Sequence, residues 1–215
     1  MLPLLDYETQ SACWPRAGRH ILAHHDDETI VVYQAYSPTI GRFAAEHQRF
    51  GDGFSLSRMS WIKPNFLWMM YRSSWGISVG QEVVLAITLR RSAFEEILRG
   101  AVPSSFWPER FSTDADYKHA LLTSNVRMQW DPDHGPSGAP LDRRAIQLGL
   151  RGDVLRRFAE GTRGDWVTAI ADVSPLVATL RAKVRSGEKL ETPAETVVRI
   201  ADAELVRRLR LDDPV

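Results

Sequence analysis

The chain has 215 residues, of which 44% are hydrophobic and 25% charged, as in a globular protein long enough to bury a core without disulfides. Its 27 basic and 27 acidic residues cancel, which argues against large-scale capture of nucleic acid or anionic membrane. The single cysteine, Cys13, favours a reducing, cytoplasmic setting. The sequence contains no run of about 18 apolar residues, so it predicts no membrane span.

The N-terminal part of the chain predicts strands and short helices. Two runs rich in β-branched residues, HILAH and TIVVYQAY, flank a polar tetrad at 25–28 and predict a hairpin. SPTIGRFAAEHQRF predicts a helix that begins at Ser37 and Pro38. Another helix is expected from near Pro64 to Tyr71, because proline suits a first helical turn.

The middle of the chain predicts further strands. EVVLAITLR alternates apolar residues and is typical of a strand. Ser92 and Glu95 have the spacing of a capping box that opens a short helix. VRMQW and RAIQLGL, joined by the turn-rich DPDHGPSGAP, predict two antiparallel strands.

The C-terminal part shows helical spacing. DVLRRFAE, DWVTAIADV and PLVATLRAKVRS place apolar residues three and four apart, and Thr192 with Glu195 predicts a capping box before a last helix. The predicted class is α+β, with a mixed, mainly antiparallel β-rich body over about 19–152 and a helical part over about 153–211. We expect both parts to form a single domain over residues 1–215.

The stretch MSWIKPNFLWMMYRSSW, at residues 59–75, combines three of the seven tryptophans with two cations. On a helix, Phe66, Met69 and Met70 fall near one face, which predicts a contribution to the core. One alternative is a purely structural role for these aromatic residues. In the other, part of the segment lines a ligand pocket.

The ligand-pocket alternative uses the cations and rings of the same segment. Lys63 and Arg72 would hold a phosphate or carboxylate, while a ring stacks on a base. The candidate rings are Trp61, Trp68 and Tyr71.

Further polar candidates lie on the predicted strands. VYQAY places Tyr33, Gln34 and Tyr36 at a strand end, where a buried glutamine either satisfies backbone groups or reads a ligand. VRMQWDPDH and RAIQL place polar side chains across two paired strands, as a pocket floor or as a solvated sheet face. Those side chains are Arg127, Gln129, Arg144 and Gln147.

No motif assigns a reaction. The run HHDDE predicts a charged turn and no metal site, because neighbours on an extended chain point apart and match no zinc pattern. The sequence contains no G-x-G-x-x-G, P-loop or G-x-S-x-G motif, which argues against Rossmann oxidoreductases, P-loop NTPases and α/β-hydrolases.

Four sequence blocks carry a resemblance to a known family. VYQAYSPTIG, RMSWIKPNFLWMMYRSSW, VRMQWDPDHG and RAIQLGLRG resemble the domain-of-unknown-function family 4291, a group of uncharacterised bacterial and fungal proteins. The resemblance spans Arg19 to Gly152 and implies no particular reaction.

A second resemblance concerns only the layout of one region. IVVYQAYSPTIGRFAAEHQRF is similar to the strand, turn and helix that open the NAD site in ADP-ribosyltransferase-like folds. This resemblance implies a split β-sheet and NAD as a ligand. The sequence departs from the pattern, since that strand has no histidine and Gln129 or Gln147 stands where a catalytic glutamate is expected.

Two functional hypotheses follow from these residues. The first is an enzyme that acts on a nucleotide-containing substrate, either NAD or an RNA end, with cations on phosphates and glutamines as polar readers. The second is a non-catalytic module that binds a nucleotide, nucleic acid or peptide through the same surface. A purely structural or partner-binding domain is the third alternative.

Overall fold

A computed structural model describes residues 2–51 and 53–213 of the chain. The strands in these ranges are β1 (Leu4–Asp6), β2 (Gly18–Arg19), β3 (Leu22–Ala23), β4 (Thr29–Tyr36), β5 (Ser60–Ile62), β6 (Val83–Arg90), β7 (Ala101–Pro103), β8 (Val126–His134), β9 (Pro140–Leu150), β10 (Val167–Asp172), β11 (Glu191–Pro193) and β12 (Thr196–Val197). The helices are α1 (Tyr7–Ser11), α2 (Pro38–His47), α3 (Phe66–Ser73), α4 (Arg91–Gly100), α5 (Asp114–Thr123), α6 (Gly152–Ala159), α7 (Ser174–Ser186) and α8 (Ala203–Leu209).

Two larger sheets form the body. The first contains three antiparallel strands in the order β10-β6-β4. The second has the order β2-β9-β8-β7, and β5 pairs with the far end of β9. β8 and β9 are antiparallel, as predicted, whereas β2 and β7 join their neighbours in parallel. The predicted α+β class with mainly antiparallel sheets is confirmed.

One backbone bridge connects the two sheets. Tyr33 in β4 and Lys63, directly after β5, each donate an amide hydrogen to the carbonyl of the other, at 2.7 and 3.1 Å. Two smaller sheets, β1 with β11 and β3 with β12, tie the C-terminal strands to the N-terminal part. The bridge brings the end of β4 next to β5 and α3.

Strand β6 is buried on both faces. Leu85 and Ile87 belong to the larger core cluster, whereas Val84 and Ala86 pack in a second cluster with residues of α3 and α7. Burying each large aliphatic side chain contributes roughly 1.5–3 kcal/mol, so this strand is a main source of stability.

The prediction of a helix over DWVTAIADV is wrong, because this stretch forms strand β10. Val167 and Ile170 are both buried although they are three residues apart. The pairing of β10 with β6 shifts register between Val167 and Ala169. A bulge of this kind inserts one residue and so gives a strand the apolar spacing of a helix.

The capping box predicted at Thr192 and Glu195 is also wrong. These residues lie in and beside the short strands β11 and β12, and both bind the side chain of Gln10. The last helix begins at Ala203 and is capped by Asp202. A tertiary partner from the other end of the chain therefore overrides the local motif. The segment from Asp153 onward therefore contains the helices α6, α7 and α8 together with three strands.

Two predicted helices are confirmed, whereas the predicted hairpin is limited to its turn and the predicted Ser92–Glu95 capping box is not formed. The 25–28 tetrad forms a turn in which the Asp26 carboxylate accepts from the amides of Glu28 and Thr29, but β3 pairs with β12. Helix α2 begins at Pro38 as predicted. Helix α4 begins at Arg91, without a side-chain cap. Within the described residues, no helix is long and apolar enough to cross a membrane.

Candidate functional site

A cavity of about 550 Å³ lies between the end of β4, strand β5, helix α3 and the loop that precedes β5. Its volume is in the range of small-molecule sites, roughly 300–1,000 Å³. The side chains that give it chemical character are Gln34, Tyr36, Arg58, Trp61, Lys63 and Arg72. The structure thus brings together five residues that the sequence predicted separately, and it adds Arg58, which no sequence pattern distinguished.

Lys63 is a buried cation in the wall of this cavity. The residue is 6% exposed, and its ammonium group makes no hydrogen bond or ion pair with any part of the chain that the structure describes. Burial, together with repulsion from Arg72, lowers the pKa of Lys63 to about 8, whereas attraction by Asp131 opposes the shift. At neutral pH the cavity therefore contains a buried charge without a counterion.

Helix α3 places Arg72 beside Lys63. Asn65 caps the helix by accepting from the Trp68 amide at 2.7 Å. Phe66, Met69 and Met70 are buried, as predicted, and Arg72 lies on the exposed side of the same helix. The segment at residues 59–75 therefore serves both predicted roles: one face of the helix packs in the core, and the other contributes Arg72 to the cavity.

Glu195 fixes the start of α3 from the C-terminal part of the chain. Its carboxyl oxygens accept from the Phe66 amide at 2.7 Å and from the Asn65 side chain at 3.3 Å. The residue is 3% exposed, and burial raises its pKa to about 8, while the bond from Phe66 opposes this shift. The position of the helix, and hence of Arg72, depends on this buried acid.

We expect the stability of the protein to fall as pH rises from about 4.5 to about 8, because of Glu195. In this window the unfolded chain releases the proton of Glu195 while the folded chain retains it, so rising pH favours unfolding. Urea unfolding at several pH values would measure this slope. Glu195→Gln should flatten it, and an unchanged slope in that variant would contradict the assignment.

A polar strip adjoins Lys63 on the second sheet. Gln129 and Gln147 lie directly opposite each other on β8 and β9, as the predicted hairpin requires. Their amide groups donate to the two carboxylate oxygens of Asp131, at 3.0 and 2.8 Å. Since Ile62 pairs with Leu148, alternation places Lys63 on the same sheet face as Gln147.

Asp131 is a carboxyl group whose charge interacts with those of both Lys63 and Arg72. Burial raises its pKa, while the two glutamine bonds and the charges of Arg72 and Lys63 lower it. It forms no ion pair with Lys63 or Arg72 among the described residues, and it stands outside the cavity wall. The sequence signal for Asp131 was its position two residues after Gln129, on the same strand face.

Gln34 lies in the cavity wall and has one side-chain oxygen that is buried and unpaired among the described residues. Its amide nitrogen donates to the Ser60 hydroxyl at 2.9 Å and to the Trp61 carbonyl at 3.2 Å. A backbone carbonyl can only accept, so the amide nitrogen must face Trp61. The oxygen Oε1 then remains buried with no partner among the described residues. Ser60 also hydrogen-bonds the Tyr36 hydroxyl, whose pKa is raised by burial.

Two predicted rings lie in packed surroundings and do not line the cavity. Tyr33 is fully buried against Phe66, with ring centroids 5.4 Å apart. Trp68 is buried and stacks on His134 at 5.2 Å. Tyr71 is exposed but stacks on the same histidine at 3.5 Å. Of the predicted rings in the 59–75 segment, only Trp61 borders the cavity.

Two predicted arginines also lie apart from the cavity. Arg127 donates to the carbonyls of Leu121 and Ser124 at the end of α5. Arg144 is exposed and, by strand alternation, lies on the opposite face of β9 from Gln147. Both were chosen for their charge. Arg144 lies on the other sheet face, whereas Arg127 shares the face of Gln129 but is held by the end of α5, a contact that the sequence could not show.

A larger hollow of about 700 Å³ lies elsewhere, beside the 25–28 turn. Its central cation, Arg91, already contacts His25 at 3.2 Å and Glu95 at 3.7 Å. The charge of Arg91 is therefore used within the protein, whereas Arg199, the second arginine of this hollow, is exposed to solvent. Among the described residues, no cluster of three or more His, Cys, Asp or Glu side chains is arranged to hold a metal ion.

The fold and the site define an α+β protein with a cationic cavity at the junction of two sheets. A family model described as Domain of unknown function (DUF4291) matches residues 20–199, and the chain belongs to this family. The match includes β4, β5, α3, β8 and β9, and therefore the whole candidate site. A search of curated proteins found no match to the chain.

Proposed function

We propose that the cavity binds a nucleotide-like ligand, with its phosphate on Lys63 and Arg72 and its base beside Trp61. The observation that carries the proposal is Lys63, a residue only 6% exposed that lines the cavity and forms no ion pair among the described residues. Burying an unpaired charge costs free energy, and an anionic ligand would supply the missing partner.

The local charge balance favours an anion with more than one negative charge. Lys63, Arg72 and Arg58 border the cavity, whereas the nearby Asp131 already accepts from two glutamine amides. Phosphate oxygens suit such a site, because arginine binds them in a bidentate manner and lysine acts as a compact point charge.

The remaining wall suits the base and ribose of a nucleotide. Trp61 is half-buried in the cavity wall, and stacking a base on such a ring contributes about 1–3 kcal/mol. Gln34 and Tyr36 add polar side chains to this wall, which suits the amino and hydroxyl groups of a base and a ribose.

Whether the bound nucleotide is also processed is a finer proposal. Lys63 and Asp131 have pKa values shifted toward each other, which is the property that proton-transferring groups need. An ADP-ribosyltransferase-like reaction on NAD stays a prediction, since Gln129 and Gln147 stand on the strip where that chemistry needs a glutamate. An RNA end presents the same phosphate and ribose groups and is the alternative ligand, and a peptide would use the same cations through a carboxylate.

A thermal-shift screen with ADP, ATP, NAD, ADP-ribose and a short RNA tests the proposal. A ligand at 100 times its dissociation constant adds about 2.7 kcal/mol, or roughly 5–10 °C in melting temperature. Arg72→Gln should abolish the shift, because it removes one phosphate contact and its charge. Arg185→Gln, on the exposed surface of α7 and outside the cavity wall, is the matched control and should keep it. No shift with any ligand would contradict the proposal.

A further inference from the structure

The surroundings of Lys63 suit a nucleophilic amine as well as a charge holder. The amine lies in a cavity wall, 6% exposed, and no described carboxylate is paired with it. An ion pair would keep the nitrogen protonated and occupy its lone pair, so the lack of one leaves the amine free to react. A neighbouring cation and a buried position are the two features that activate a lysine.

Polar side chains from several neighbouring elements surround the cavity that this amine lines. Arg72 approaches from α3, Tyr36 from β4 and Arg58 from the preceding loop, and all three line the cavity. Asp131 acts from β8, held by two glutamine amides. Arg72 favours the neutral amine, both arginines attract an anion, and Asp131 supplies a carboxyl group that can exchange protons.

We propose that the amine of Lys63 forms an imine with the open-chain aldehyde of a ribose 5-phosphate unit, whose phosphate binds Arg72 and Arg58. This inference rests on the proposed anion site and adds a reacting atom to it. The ribose 5-phosphate unit is either the free sugar phosphate or the terminal ribose of ADP-ribose. Its hydroxyl groups suit the polar side chains of Gln34 and Tyr36 in the cavity wall.

The step balances without an oxidant or a second substrate. The nitrogen lone pair of the neutral amine attacks the aldehyde carbon, and the carbonyl oxygen takes up a proton to give a carbinolamine. The nitrogen loses its extra proton, and the hydroxyl group leaves as water after a second proton arrives. The resulting iminium ion then releases its remaining N–H proton to give the imine. Asp131, which lies outside the cavity wall, exchanges these protons through water. One amine and one aldehyde thus become one imine and one water.

The chain provides its own controls, because it contains only three other lysines, Lys118, Lys183 and Lys189. All three form surface ion pairs, with Asp114, Glu191 and Asp6 respectively. Burial lowers the pKa of Lys63 to about 8, so about a tenth of its amine is neutral at pH 7. An exposed lysine at its ordinary pKa of about 10.4 is neutral to less than about one part in a thousand.

Trapping with cyanoborohydride tests the inference on the full chain. The protein is incubated with ADP-ribose or ribose 5-phosphate plus the reductant, digested, and the reduced adduct is quantified at each lysine by mass spectrometry. We expect at least tenfold more adduct at Lys63 than at any other lysine near pH 7. A stronger signal from one of the two compounds identifies the source of the ribose unit.

Binding of each compound, measured without reductant, separates the possible failures. Lys63→Arg removes the primary amine and should form no adduct in the cavity, whereas Lys118→Arg, outside the cavity, should keep both the binding and the adduct at Lys63. Binding without preferential labelling of Lys63 would overturn the imine and leave the anion site standing. Neither binding nor preferential labelling with either compound would overturn the imine inference and count against the anion site as well.

Discussion

Replacing Arg143 by methionine is expected to lower the free energy of unfolding by about 3–5 kcal/mol, or roughly 6–20 °C in melting temperature. Arg143 is buried in β9, and its guanidinium donates to the Asp133 carboxylate at 2.6 and 2.9 Å. It also donates to the Pro15 carbonyl at 2.7 Å and lies over the ring of Trp14. The substitution leaves a buried carboxylate unpaired and frees the N-terminal segment.

The double variant Asp133→Asn with Arg143→Met separates these two causes. Asparagine keeps the oxygen that accepts from the His134 amide but carries no charge. We expect the double variant to recover more than half of the lost stability in urea unfolding. A loss below about 1 kcal/mol for Arg143→Met alone would show that the ion pair does not hold this part of the fold together.

Replacing Lys63 by methionine is expected to have opposite effects on stability and on binding. The variant loses a buried charge without a counterion and keeps most of the apolar volume, so its free energy of unfolding should rise by about 1–2 kcal/mol, or roughly 2–8 °C. Nucleotide affinity should fall at least 30-fold, because losing a buried charged contact costs about 2–5 kcal/mol. Melting curves with and without ADP measure both effects.

Lys118→Met is the matched control for this pair of effects. Lys118 is exposed on α5 in an ion pair with Asp114, so its loss should change stability by less than about 0.5 kcal/mol and leave binding unaltered. A Lys63→Met protein that is less stable than the wild type would mean that Lys63 has a structural partner. That result would contradict its role as a cation that is paired only when a ligand binds.

The sequence predicted the α+β class and the β8–β9 pairing because their signals are local. Alternation along VRMQW and RAIQLGL, with a turn between them, is sufficient to pair Gln129 with Gln147. The pattern that predicted the inward face of α3 is equally local, since Phe66, Met69 and Met70 share one side of a helix.

The C-terminal strands were missed for physical reasons that no local pattern reveals. The bulge after Val167 gave β10 the apolar spacing of a helix. Thr192 and Glu195 form a local helix-start motif, but Gln10 satisfies both from the far end of the chain. Long-range partners decided these segments, and they become visible only when the chain is folded.

The candidate site was predictable only in part, because long-range contacts decide which of the suitable side chains reach the cavity. Lys63, Arg72 and Trp61 were proposed from their clustering in the sequence, and the structure places all three in one cavity wall. Residue type alone could not separate them from Trp68 and Arg127, which are equally suited to bind a nucleotide. In the structure, Trp68 stacks on His134, and Arg127 donates to backbone carbonyls at the end of α5.

The most direct test of the central claim is a calorimetric titration of the wild-type protein with ADP near pH 7 and near pH 9.5. ADP has no free aldehyde, so the test concerns the anion site alone. Lys63 loses its proton at a pH of about 8 in the free protein, and binding at the higher pH must therefore restore it. The account predicts a dissociation constant at least about tenfold larger at the higher pH, and no such change in Lys63→Met. Equal affinity of the wild type at both pH values, or no binding at either, would contradict it.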